Sequence, residues 1–118
     1  MEKRVVISEV INSKVAVSAE KGEMVFQVIE NNIRNGVISC LDFSNIKSMI
    51  TAFLNAAIGE LYRIETQETL NTYVKFDVST LTPVQLQNIK MVMDNAKEKN
   101  RPNLQEKLNE VALHGETD

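Results

Sequence analysis

Two rhythms of apolar residues alternate along this chain: short β-branched runs, and longer stretches in which the apolar positions recur at i, i+3 and i+4. The run over residues 4–7, Arg4-Val5-Val6-Ile7, predicts a first strand. Lys14-Val15-Ala16-Val17 predicts either a second strand, paired with the first across Asn12-Ser13, or the lead-in to a helix. Ser18 then offers an N-cap, and Val25, Val28, Ile29 and Ile33 fall on one helical face. Gly22 should weaken that helix by roughly 1 kcal/mol relative to Ala. Asn35-Gly36 supplies the left-handed residue on which helices commonly end.

Residues 37–41, Val-Ile-Ser-Cys-Leu, form a compact apolar run with little alternation, which predicts a strand covered on both faces. Phe53, Leu54, Ala57, Ile58 and Leu61 return to helical spacing, with Thr51 as the cap. Residues 73–78 predict a further strand. Thr82-Pro83-Val84-Gln85 is a capping box with proline in the first helical position, opening a helix whose buried stripe is Leu86, Ile89, Met93 and Ala96. Asn100-Arg101-Pro102 breaks it, and Asn103 and Glu106 predict a second box leading through Leu104, Leu108 and Val111. Strands alternating with helices predict an α/β layer fold: a mixed, partly parallel sheet of about four strands covered by helices. One domain is expected over residues 1–114, with 115–118 as a frayed tail.

Composition narrows the function. The 118 residues are 43% apolar, enough for a core, and 13 basic against 16 acidic residues leave a net charge of −3. That balance offers no field for phosphate backbones or anionic lipid, and aromatic residues at 5% leave little for base stacking. No nucleic-acid or membrane partner is therefore expected. The start of the chain carries no signal-peptide core, and its single cysteine suits a reducing compartment, so a cytoplasmic location is expected.

Candidate chemistry is sparse. Cys40 lies in the most apolar strand, and His114, the only histidine, is some seventy residues away; together they build neither a nucleophile–base pair nor a zinc site. Cys40 is expected to be a buried small hydrophobe. No metal and no cofactor is expected, since the four glycines form no phosphate-binding loop. Asp42 and Asp77 both fall near strand ends; capping the turns that follow is the expected role, and a catalytic carboxylate pair the rarer one.

Residues 41–59 add a more specific signal. Asp42-Phe43-Ser44, then Ile46, then Thr51-Ala52-Phe53-Leu54 resemble the core of a STAS domain, a class that includes the bacterial anti-sigma-factor antagonists. Their motif runs Asp-Leu-Ser, a spacer around Val, then Ile-Asp-Ser-Ser-Gly-Leu into a helix. The likeness is closer to the STAS-like families of unknown function, which favour Asp-Phe and a Phe at the helix start; Leu54, Gly59 and Leu61 keep their rhythm. In the antagonists the second serine of the pair is phosphorylated. Ala52 stands there, Ile50 replaces the second Asp, and Thr51 matches the first serine.

The resemblance implies a non-enzymatic regulatory module that docks a protein partner, such as a histidine-kinase-like ATPase. Position along the chain puts Ser48, Thr51, Asn55 and Ile58 on the docking edge, with Thr51 as a candidate phosphorylation site. Asp42, Phe43, Ser44, Phe53 and Gly59 are then motif residues with structural roles. Two other readings stay open. A ligand-binding or enzymatic domain would use a pocket at the carboxyl edge of the sheet, lined by Asp42, Ser44 and Thr51. A self-associating protein would use Met91, Met93 and the C-terminal helices to form a homo-oligomer.

Overall fold

The computed structural model describes residues 1–100. The second capping box at Asn103, the helix through Val111, His114 and the tail 115–118 lie outside the described residues. Strand β1 (Glu2–Val6) leads into a single turn, α1 (Ile7–Val10), and then β2 (Val15–Ala16) precedes the long helix α2 (Ala19–Arg34). Next come β3 (Ile38–Asp42), β4 (Ser48–Met49) and a helical run made of α3 (Thr51–Leu54), a π-turn (Asn55–Gly59) and α4 (Leu61–Ile64). Helix α5 (Gln67–Tyr73), β5 (Val74–Phe76), a 3-10 turn (Val78–Thr80) and α6 (Pro83–Lys99) complete the described part.

The strands form two sheets. One has the order β1-β3-β5 and the other pairs β2 with β4; every pairing is parallel. This is the expected mixed α/β class, with five strands among the described residues instead of about four. β3 is central, as its apolar run predicts, but it is not covered on both faces. In register, Ser39 and Leu41 share a face with Val5, Val74 and Phe76, and both are fully buried beneath the helices. Glu2, Arg4, Ile38, Cys40 and Lys75 share the other face, where every one of them is exposed or half-buried. The dense apolar run therefore conceals a one-sided strand, and Cys40 is half-buried instead of buried in the core.

Four further expectations are corrected. Ile7 leaves the strand: it opens α1 and is completely buried there, a core role that a β-branched run does not distinguish from a strand position. Val15–Ala16 is a strand, yet it pairs with β4 and not with β1, because α1 and the turn at Asn12 carry it away from the main sheet. Residues 73–78 are only partly strand, since Tyr73 ends α5, a helix the periodicity does not announce; it is capped by Thr66, whose hydroxyl accepts from the Thr69 amide. Thr51 does not cap. Ile50 holds the N-cap position without a side-chain bond, and Thr51 is already helical.

The other helix signals hold. Ser18 accepts from the Lys21 amide to start α2, and Gly36 follows its end with φ +68°. Thr82 and Gln85 form both bonds of the capping box, with Pro83 in the first turn. On α6 the deepest residues are Ile89, Val92 and Ala96, with Leu86 and Met93 half-buried beside them.

Gly22 has a different meaning from the one expected. A Cβ there would sit 2.4 Å from the Phe53 carbonyl oxygen and 2.8 Å from the Ala56 Cβ. The residue lets α2 pass close against α3 and the π-turn, an approach that any side chain at this position would block. Further along α2, Asn32 is buried and donates from Nδ2 to the buried Ser39 hydroxyl at 2.9 Å, which joins the helix to the centre of the sheet. Each buried polar side chain thus satisfies the other.

Candidate functional site

Parallel pairing brings the C-terminal ends of β1, β3 and β5 to one edge of the main sheet, and three charged residues meet there. Arg4 Nη1 donates to Asp42 Oδ2 at 2.7 Å and Arg4 Nη2 to Asp77 Oδ2 at 2.9 Å. One guanidinium fork spans both neighbouring strand ends. The remaining carboxylate oxygens hold turns: Asp42 Oδ1 accepts from the Ser44 amide at 2.8 Å, and Asp77 Oδ1 accepts from the Ser79 amide and hydroxyl at 3.2 and 2.6 Å. Ser44 and then Arg4 hold the Asp42 carboxyl below the usual carboxylate range. Ser79 and then Arg4 do the same for Asp77. Each acid thus holds the turn that follows it with one oxygen and the guanidinium with the other, which is the capping role the sequence predicts.

The same edge is packed by the motif. Phe43 is buried, stacks on Phe76 with ring centroids 6.4 Å apart, and donates its amide to the Thr80 hydroxyl at 2.9 Å. Phe53 is buried at the start of the helical run. Gly59 closes the π-turn against Asn55 and Val92. The motif residues Phe43, Phe53 and Gly59 thus pack at or near this edge, and Asp42 and Ser44 form the turn after β3.

Beyond this edge lies the small β2–β4 sheet. Ala16 and Met49 point into the protein, Ala16 completely buried. By the two-residue period of strands, Val15, Val17, Ser48 and Ile50 must then point outward together. Val15, Val17 and Ile50 are 42%, 43% and 42% exposed. The Ile50 amide donates to the Ala16 carbonyl at 3.1 Å and keeps the strip in register as far as the helix. Thr51 follows on the surface, and Asn55 lies one turn further along the helical run, also exposed. Ser48, Thr51 and Asn55 are thus all exposed.

Ile58 does not join them. It is 3% exposed and packs in the core, because the helical run turns it inward, so the docking set is corrected by its removal. Sequence reasoning also missed Val15 and Val17. Their signal was present in the alternation of two valines around the small Ala16, but it needed the partner strand to show which side faces out.

The cavities lie away from the β2–β4 strip, and Asn55 borders one of them. A polar groove of about 280 Å³ runs between the π-turn and α6, lined by Asn55, Gly59, Glu60, Arg63, Asn95 and Lys99 among others. A second groove lies around Tyr62 and Gln67, and a small apolar one beside Leu70 and Met93. Asp42, Ser44 and Thr51 line none of these three, so the pocket expected at the sheet edge is not among them. Burial holds the Cys40 thiol above its ordinary value, against the opposing pull of Arg4, so the geometry does not activate it. Among the described residues no three His, Cys, Asp or Glu side chains gather as a metal site would require, and no helix is long and apolar enough to cross a membrane.

Comparison with known families agrees with the motif. The profile described as "STAS-like domain of unknown function (DUF4325)" matches residues 21–79, from the first turn of α2 to the turn after β5. Comparisons with curated proteins and with solved structures returned no match. The match spans half the chain, and the chain belongs to this STAS-like family.

Proposed function

We propose that this member of the STAS-like family is a non-enzymatic regulatory module that docks a protein partner through the outward face of β2 and β4 and the helical run that follows. The observation that carries the reading is the exposed strip of Val15, Val17 and Ile50, bordered by the polar Ser48, Thr51 and Asn55. An apolar centre with a polar rim is the usual anatomy of a protein interface. The resemblance to anti-sigma-factor antagonists suggests the partner's class, a histidine-kinase-like ATPase, and a cytoplasmic bacterial setting for the pair. Thr51 is the candidate phosphorylation site: exposed beside the strip, it would bring about two negative charges into the contact and release the partner.

The test uses a purified histidine-kinase-like ATPase from the source organism and isothermal titration. Ile50→Arg and Asn55→Arg should each weaken binding at least tenfold, and Thr51→Glu should do likewise if phosphorylation is the switch. Met91→Arg, on the exposed side of α6, should leave the affinity unchanged. Full affinity in both arginine variants at the edge, with their folds intact by circular dichroism, would exclude this surface. A loss confined to Met91→Arg, accompanied by a change in sedimentation, would favour self-association through α6.

A further inference from the structure

The strip on β2 and β4 carries charge of one sign. From residue 10 to 19 and from 43 to 59 the only ionisable side chains are Lys14 and Lys47, in a chain where 16 acids outnumber 13 bases. Both lysines are exposed, and they immediately precede the paired residues Val15 and Ser48. The Lys47 amide donates to the Lys14 carbonyl at 2.8 Å, so the two side chains leave neighbouring backbones at the same end of the strip. Neither ammonium has an ion pair or a hydrogen bond among the described residues. Glu20, the next acid along the chain from β2, is itself exposed on the first turn of α2 and takes neither cation.

Like charges on paired strands repel, and a partner that neutralises both removes that cost. The backbone shows how such a partner is recognised. The Ala16 carbonyl faces β4, so the polar groups of Val15 face the outer edge of β2. There the Ser13 hydroxyl accepts from the Val15 amide at 3.0 Å and donates to the Val15 carbonyl at 3.2 Å. That edge is already satisfied and offers no template for an added strand, which leaves recognition to side chains. We propose, resting on the docking reading above, that the partner presents an acidic segment: its carboxylates seat on Lys14 and Lys47, and an apolar side chain beside them covers Val15, Val17 and Ile50. Charge at the rim then selects and steers the partner, while the apolar centre excludes water.

A phosphate backbone fits this surface less well than a protein. Nucleic-acid binding draws on a longer row of cations than two, and on exposed aromatic rings for stacking, whereas Phe43 and Phe53 are buried. Because both lysines are exposed, their attraction for an acidic segment weakens as salt screens it. The sign also fixes the direction of a switch at Thr51. A phosphate there would add about two negative charges beside an acidic partner and repel it.

Two ten-residue peptides test this on the full chain, one alternating leucine with aspartate and the other leucine with lysine, by amide NMR shifts and fluorescence anisotropy. In 50 mM NaCl the acidic peptide should move the Val15, Val17, Lys47 and Ile50 amides and bind at least tenfold tighter than the basic one. Its affinity should fall at least fivefold in 300 mM NaCl. The double variant Lys14→Gln, Lys47→Gln should lose both the preference and the salt dependence; if it fails to fold, Lys47→Gln alone decides. Ile50→Ala should weaken binding and keep the preference. Equal affinity for the two peptides at these amides, or a preference that survives the lysine variant, would overturn the acidic partner and leave the docking surface standing. No shift at these amides with either peptide would overturn both. Single-stranded DNA that binds the same amides more tightly than the acidic peptide would assign the lysines to phosphate. A salt-dependent dimer that the lysine variant abolishes would assign them to a second copy, and either result equally overturns the acidic partner.

Discussion

Two groups of acids in this protein have opposite surroundings. At the sheet edge, Asp42 and Asp77 face a guanidinium that reaches both at 2.7 and 2.9 Å, and each also accepts from the turn that follows it. On the helical side, the nine-tenths buried Glu30 has Arg34 Nε 4.0 Å from one oxygen and no hydrogen-bond partner on the other, and Glu65 follows the end of α4. The residue chemistry is nearly the same, yet the linkage to pH has opposite signs. Asp42 and Asp77 are held below their ordinary value of 3.8, so the native state favours their ionised forms. Their stabilisation is present above that value and is lost as pH falls through the lower native ones. Glu65 is held above its ordinary value of 4.5, so its contribution is present below 4.5 and is lost as pH rises through the raised native value. The groups around an acid decide in which direction its affinity for a proton moves.

The largest effect should come from an acid given neither a cation nor a proton donor. Leu41→Asp would place a carboxylate on the covered face of β3, where Leu41 is completely buried, and an unpaired buried charge costs several kcal/mol. The variant should be unfolded by circular dichroism at neutral pH. Ile38→Asp, on the opposite and half-exposed face, should stay folded; if the two variants behave alike, the sheet is not one-sided.

Arg4→Met takes the cation away from the sheet-edge acids. Without the fork, Asp42 and Asp77 should titrate closer to the ordinary range, so the acid limb of the melting curve should move to higher pH and the melting point at pH 7 should fall. An unchanged acid limb would mean that Ser44 and Ser79 alone keep the carboxylates ionised.

The smallest effect supplies the control. Thr82→Ala removes the capping box of α6, which makes no hydrogen bond to Asp42 or Asp77, and should cost about 0.5–2 kcal/mol by chemical denaturation. Because no titrating group is involved, the loss should be the same at pH 5 and pH 8. A loss that varied with pH would show that α6 communicates with one of the two groups.

Local chemistry determined a good part of this protein by itself. Ser18, Gly36 and the Thr82–Gln85 box act within a few residues of where they stand, so the bounds of α2 and the start of α6 could be read from the chain. The Asp-Phe-Ser motif pointed to the family for the same reason: Asp42 satisfies a turn two residues on. Tertiary structure alone decided the rest, because partners distant in the chain chose between equal local options. Val15–Ala16 became a strand through Ser48 and Met49, more than thirty residues on, and that pairing turned two valines outward. Gly22, a weak point for an isolated helix, became the place where α2 meets the Phe53 carbonyl. Arg4 found two carboxylates 38 and 73 residues away, while the buried Glu30 kept one oxygen without a hydrogen-bond partner. A charge's partner is set by strand order and helix packing, and no periodicity in the sequence records it.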